Sequence, residues 1–256
     1  MQLLSITDLS MQFGGLAALK DLSFAIDKGE IRGLIGPNGA GKTTLFNVIS
    51  GVYRPSKGSV LFKDRDVSNL KPHQTTRLGI VRTFQAVTLF KNFSVLKNVM
   101  VGGHLHAKYS YWGALLDTRN TKANEKENDK KAMEILEFMG IAQYKDELAA
   151  NLPHGHQRAL GVGIAMAAQP ELLMLDEPCT GMNTEESLEM VGLINRIRDR
   201  GVTILLIEHD MKVVMGICDK ITVINFGTRI AEGTPEEIQR DEGVHEAYLG
   251  SDIYAA

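Results

Sequence analysis

The chain is most constrained by one short stretch, GPNGAGKT, residues 36–43. It satisfies G-x-x-x-x-G-K-[ST] at every fixed position. A loop of this kind turns backbone N–H groups onto phosphate oxygens, and the helix that follows points its positive end at the same place. Gly36, Pro37, Asn38, Gly39, Ala40 and Gly41 are therefore expected to form a phosphate cradle. Lys42 is expected to bridge the β and γ phosphates, Thr43 to offer its hydroxyl to Mg²⁺, and Thr44 to add a contact near the α phosphate. The flanks agree with this reading. Ile31 to Ile35 is a compact apolar strand, and Leu45, Phe46, Val48 and Ile49 suit one helical face that stops at Gly51.

A phosphate loop needs a carboxylate at the end of a neighbouring strand. ELLMLDEP supplies Asp176 as a partner for Mg²⁺, with Glu177 beside it to polarise an attacking water. A further apolar strand, TILLIEHD, leads to His209, placed to sense a γ phosphate. The runs LLML and ILLI are continuous rather than alternating, as expected of parallel strands covered on both faces.

The rest of the chain fits around this centre. Leu22, Phe24 and Ile26 alternate with Ser23 and Ala25 before the turn at Asp27-Lys28-Gly29. A strand is expected near Val60–Phe62, helices near Pro72–Leu78 and Glu186–Arg198, and a capping box with Pro235 at the first helical position in Thr234–Glu237. Residues 122–131 are dense in charge, and Ala132, Ile135, Leu136 and Met139 then recur at helical spacing up to Gly140. Residues 90–165 read as a mostly helical insertion within a single domain spanning 2–251.

Composition narrows the class. A net charge of −3 argues against a broad nucleic-acid footprint. The two cysteines, Cys179 and Cys218, suit reduced thiols rather than a disulfide framework. The first residues, MQLLSITDLS, do not read as a signal peptide, and no apolar run approaches the ~18 residues that span a bilayer. Any membrane association is expected to come through a partner. His104 and His106 could suggest a metal, but two histidines without further ligands near them in sequence are a weak signal, and no metal site is expected there. Tyr109, Tyr111 and Trp112 suit either docking of a membrane subunit or packing in a small satellite core.

Together these residues resemble the ATP-binding cassette (ABC) ATPases over almost the whole chain. The resemblance implies an α/β fold: a P-loop, RecA-like core with an N-terminal antiparallel β subdomain and an inserted α-helical subdomain. It implies ATP and Mg²⁺ as cofactors and ATP hydrolysis as the activity. RTFQ matches the Q-loop, which makes Gln85 a contact for Mg²⁺ and the attacking water. Phe13 in MQFGG resembles the aromatic that stacks on adenine; a strand residue closing a small core is the other reading, and both stay open. PCTGMN, residues 178–183, matches the D-loop, with Asn183 where Asp is usual.

LIGPNGAGKTTLFNVISG, VRTFQAVTLFKNFSVLKNV, DEPCTGMN, LLIEHDMKVVMGICD and GTPEEIQRDEGVHEAYLG further resemble the ATPases of branched-chain (hydrophobic) amino acid importers. Cassettes for urea or amide uptake and for lipopolysaccharide export share parts of this likeness. The resemblance implies a second cassette, in a homo- or heterodimer that sandwiches two ATPs. It also implies two membrane permeases, a substrate-binding protein outside the membrane, and a peripheral position on the cytoplasmic face of the cell membrane.

LPHGHQR, residues 152–158, falls where the family keeps the signature that clamps the opposing γ phosphate. Leu152 and Gly155 keep the pattern. Pro153 stands in the usual serine position and lacks both hydroxyl and amide donor, His154 replaces a small or aromatic residue, and His156 stands for Gln. Losing one such donor typically costs about 10²–10³ in rate. A transport ATPase is the expected function, with a low-turnover nucleotide-binding regulatory module as the alternative. The set Lys42, Thr43, Gln85, Asp176, Glu177 and His209 favours the transport ATPase.

Overall fold

The computed structural model describes residues 1–83, 89–106 and 119–249. Strands β1 (Gln2–Phe13), β2 (Leu16–Asp27), β3 (Ile31–Ile35), β4 (Lys57–Phe62), β5 (Arg65–Asp66), β6 (Ile80–Arg82), β7 (Leu172–Asp176), β8 (Thr203–Ile207), β9 (Lys220–Asn225) and β10 (Thr228–Gly233) build two sheets. One is antiparallel, in the order β2-β1-β4-β5. The other runs β10-β9-β3-β8-β7-β6 and is parallel except for β10.

Period-two side chains explain how the second sheet is covered. On β7, Leu173 and Leu175 belong to one apolar core while Leu172 and Met174 belong to another; on β8, Ile204 and Leu206 alternate with Leu205 and Ile207 in the same way. One core lies between the two sheets around helix α1 (Lys42–Ile49), which buries Leu45, Phe46, Val48 and Ile49. The other is shared with the helices that follow. These are α3 (Val95–Gly102), α4 (Arg119–Met139) and α5 (His154–Ala167), and they bury Val95, Val99, Leu136, Met139 and Leu160. Among the described residues the helical part therefore has no separate core. Where α3 meets α5, a Cβ on Gly102 would lie 2.2 Å from the Ile164 carbonyl, so only glycine permits that approach.

Helix α2 (Pro72–Arg77) lies between β5 and β6, and α6 (Thr184–Asp199), α7 (Met211–Ile217), α8 (Pro235–Gln239) and α9 (Glu242–Leu249) complete the chain. Helix α2 ends one residue before the expected Leu78, α6 begins and ends slightly outside Glu186–Arg198, and β4 starts at Lys57 rather than Val60. The capping box at Thr234 is present, with its hydroxyl accepting from the Glu237 N–H at 3.3 Å.

A charged cluster crosses the sheet interior. Arg32 on β3 is 2% exposed and donates to Glu30 at 2.5 Å, to Glu232 of β10 at 2.6 Å and to the Ala25 carbonyl of β2 at 2.8 Å. Strands from both sheets are thereby joined at one guanidinium. Among the described residues no helix is long and apolar enough to cross a membrane.

Candidate functional site

The phosphate loop sits between the end of β3 and the start of α1, and its path depends on close backbone packing. A Cβ on Gly36 would lie 2.0 Å from the Ile224 carbonyl, and one on Gly41, at φ 106°, would lie 2.7 Å from the Ala18 carbonyl. The β9–β10 hairpin braces the loop: the Gly227 N–H donates to the Ala40 carbonyl at 2.9 Å, and Lys20 N–H to the Gly227 carbonyl at 2.9 Å. Lys42 is buried, and its ammonium donates to the carbonyls of Gly36 at 2.6 Å and Pro37 at 3.0 Å. Burial lowers its pKa, while the nearby carboxylates of Glu177 and Asp176 pull it back up.

A cleft opens over this loop. It is lined by Asn38 to Thr44, by Phe13, Leu16, Ala17, Ala18 and Lys20 on one wall, and by Glu177, Ile207, His209 and Phe226. Thr43 is exposed and Thr44 half-buried. Phe13 is 42% exposed and rests edge-on against Tyr53, ring centroids 5.2 Å apart. It thus borders the cleft while also packing against a neighbour.

Glu177 follows β7 in a left-handed backbone conformation, φ 51°, and its N–H donates to the Ile207 carbonyl at 2.9 Å. That turn directs the side chain to His209, whose Nε2 lies 2.6 Å from Glu177 Oε1. Asp176, 5% exposed, pairs with Arg82 of β6 at 2.7 Å. Gln85, Tyr109, Tyr111 and Trp112 lie outside the described residues. Asp176 lines a neighbouring cavity with Ser50, Arg82, Thr83 and Pro178 rather than the cleft itself, though its charge reaches Lys42. The hydroxyl of Thr43 and the carboxylate of Asp176 are oxygen donors of the kind a hard divalent cation takes.

The signature segment lies elsewhere. Leu152 is buried, Pro153 is the N-cap of α5 without a side-chain cap, and His154 is exposed, its Cε1 3.3 Å from where a Cβ on Gly181 would sit. Gly155 packs against Glu186 so closely that an added Cβ would lie 2.9 Å from its Oε1. His156 is half-buried, its ring 5.0 Å from that of Tyr144. None of residues 152–156 lines the cleft over the chain's own phosphate loop. Asn183 is the N-cap of α6 in a full capping box with Glu186, which accounts for an amide at this position on helix-start grounds.

Several residues that position the site carry no motif of their own. Glu208 is 3% exposed and accepts the N–H of Cys179 at 2.7 Å and of His209 at 3.1 Å; burial raises its pKa. Asn98, fully buried on α3, accepts from the Phe90 N–H at 2.9 Å and donates to the carbonyls of Phe90 and Ser94. This holds Phe90 and Phe93, stacked at 5.4 Å and both about half-exposed. The acid before His209 and the Asn within VLKNV were visible in the sequence, but only folding showed which backbone groups they serve.

Residues 19–180 match the ABC transporter family, and residues 228–254 match the branched-chain amino acid ATP-binding cassette transporter family. The chain is 45% identical over 249 residues to the high-affinity branched-chain amino acid transport ATP-binding protein LivG of Escherichia coli (strain K12), covering 97% of this chain and 98% of that one. It is 39% identical to the corresponding protein BraF of Pseudomonas aeruginosa, with the same coverage. The solved ADP conformation of MJ1267, an ATP-binding cassette of an ABC transporter, superposes with a TM-score of 0.85 at 30% identity, covering 98% of this chain and all of that one.

Proposed function

The chain belongs to the ABC transporter family of ATPases, and from that premise we propose that it is the ATP-hydrolysing subunit of an importer of branched-chain or other hydrophobic amino acids. The observation that carries the substrate class is the match of residues 228–254 to the branched-chain family. It favours amino acid uptake over the urea, amide and lipopolysaccharide alternatives.

In this reading ATP lies in the cleft with its base toward Phe13 and its phosphates on Gly36 to Thr44. Lys42 exchanges its two carbonyl partners for β and γ phosphate oxygens, a short movement because it already lies against the loop. Thr43, Asp176 and Gln85 would hold Mg²⁺, which, when bound, offsets phosphate charge. Glu177 takes the proton from the attacking water, and His209 keeps that carboxylate aimed until the γ phosphate arrives.

The second cassette completes the site. Leu152, Pro153, His154, Gly155 and His156 would face the partner's γ phosphate, which fits their absence from the chain's own cleft. Closing of the cassette pair drives two permeases, fed by a substrate-binding protein, with the cassettes peripheral to the cytoplasmic face of the membrane.

The test is reconstitution with its membrane subunits in vesicles, measuring ATPase activity as the binding protein is loaded. Leucine, isoleucine or valine should stimulate hydrolysis, and urea should not. A system that responds to none of the branched-chain amino acids overturns the proposal.

A further inference from the structure

Arg82 is the last residue of β6, and its side chain is 7% exposed. One guanidinium nitrogen donates to Asp176 Oδ2 at 2.7 Å, the other to Asn47 Oδ1 of α1 at 2.6 Å. Its central carbon lies 5.3 Å from the centre of the Phe46 ring. Three elements meet here: the helix that begins at the phosphate loop, the strand that ends in Asp176, and the strand that leads toward Gln85. A cation held by all three is fixed in place, because moving it would strip a buried carboxylate of its partner.

The charges around the site point the same way. Asp176 faces Arg82, while the Lys42 ammonium lies in the field of both Glu177 and Asp176. Asp176 is thus paired with one cation and lies in the field of a second before any metal arrives. Among the described residues no three His, Cys, Asp or Glu side chains gather as a group that could hold a metal ion. Mg²⁺ gives up water reluctantly and is usually held by one or two carboxylates together with substrate phosphates. A carboxylate already engaged by a guanidinium offers a hydrated ion little on its own. The negative charge of a triphosphate reverses that balance.

We propose that Arg82 is a positioning residue for the metal: a fixed counter-cation that holds Asp176 through one oxygen and keeps free divalent ions out, so that metal enters only together with nucleotide phosphates. The proposal rests on the reading of Asp176 as a metal partner. It concerns the order of assembly of the site, which that reading leaves open.

Mn²⁺ serves as the probe, titrated onto the full chain and followed by electron paramagnetic resonance, with and without a non-hydrolysable ATP analogue. The wild type should take up Mn²⁺ only with the analogue present. Arg82→Gln keeps a side-chain donor but removes the charge, and should bind Mn²⁺ without nucleotide on the order of tenfold more tightly. Its melting temperature should also rise on adding Mg²⁺ alone, which a purely structural bridge would not produce. Arg82→Lys, which keeps the charge, should behave as the wild type, and it remains informative if the Gln variant fails to fold.

Folded Arg82→Gln with wild-type Mn²⁺ affinity overturns the proposal, as does an Arg82→Lys that binds free Mn²⁺ tightly. Asp176→Asn separates the two ideas. If it leaves nucleotide-dependent Mn²⁺ binding intact, the metal reading of Asp176 fails and takes the proposal with it. If it abolishes that binding while Arg82→Gln changes nothing, only the role of Arg82 is lost.

Discussion

His209 and Glu177 stand at the ends of neighbouring strands, β8 and β7, with Nε2 and Oε1 2.6 Å apart. The acid nearest the phosphate loop is therefore already engaged before nucleotide arrives. In the proposed function a γ phosphate and its attacking water would have to share or break this contact, so hydrolysis would depend on how both side chains are held.

Glu177→Gln should retain ATP affinity and lose turnover by about 10²–10⁴-fold, the usual scale for a general base. The isosteric amide keeps a hydrogen bond to His209 but cannot take the proton. Steady-state hydrolysis and size-exclusion chromatography with ATP check this, and a stable ATP-bound dimer is expected. Wild-type turnover in the variant would remove Glu177 from the role.

Pro153 begins α5 without a side chain to cap it. Pro153→Ser should supply that cap and raise stability by about 0.5–2 kcal/mol, measured by urea unfolding of the isolated chain. If the segment also faces a partner's γ phosphate, ATPase activity of the dimer should rise with it. Higher stability with unchanged activity would limit the residue to helix capping.

How far the sequence reached is clearest from these two places. The phosphate loop, Asp176-Glu177 and His209 were legible because each lies at a strand end or helix start whose local pattern is strong. Arg82, Asn98 and Glu208 were not, because their partners Asp176, Phe90 and Cys179 are fixed by folding rather than by any local pattern. Strand β1 likewise carries no clean alternation in sequence: Leu3, Leu4, Ile6, Leu9, Ser10 and Met11 are its buried positions, and register shifts against β2 break the pattern. Asn183 looked like a departure from a family motif, and its cap hydrogen bonds supply a local reason for it.

Arg32→Met should destabilise the chain by about 3–5 kcal/mol, because Glu30 would remain buried without its guanidinium. Adding Glu30→Gln should recover part of the loss. Equilibrium urea unfolding of the single and double variants measures the coupling, and additive effects would show that the pair is independent.

Both cysteines are buried, and burial pushes the thiols of Cys179 and Cys218 from the ordinary 9.0 up to about 12. The folded state holds these protons more tightly than the unfolded one. Their contribution to stability is therefore complete below pH 9.0 and is lost as pH rises toward about 12. Native protein at neutral pH should not react with a disulfide reagent, whereas unfolded protein should react at both thiols. Rapid labelling of the native chain would contradict the burial.

Phe90 and Phe93 form an exposed stacked pair held from beneath by Asn98. Replacing either with Ala should reduce permease-stimulated hydrolysis more than basal hydrolysis. Equal loss in both assays would assign the pair to packing of this chain alone.

Glu208 gives the nucleotide end of the molecule a mechanical property that its motifs do not disclose. A single carboxylate grips the amide that opens residues 179–183 and the amide of His209, from inside the protein where water does not compete. The two segments share one buried anchor. Displacing either segment would strip a buried carboxylate of one of its two amide donors, so the positions of both are tied to a single side chain.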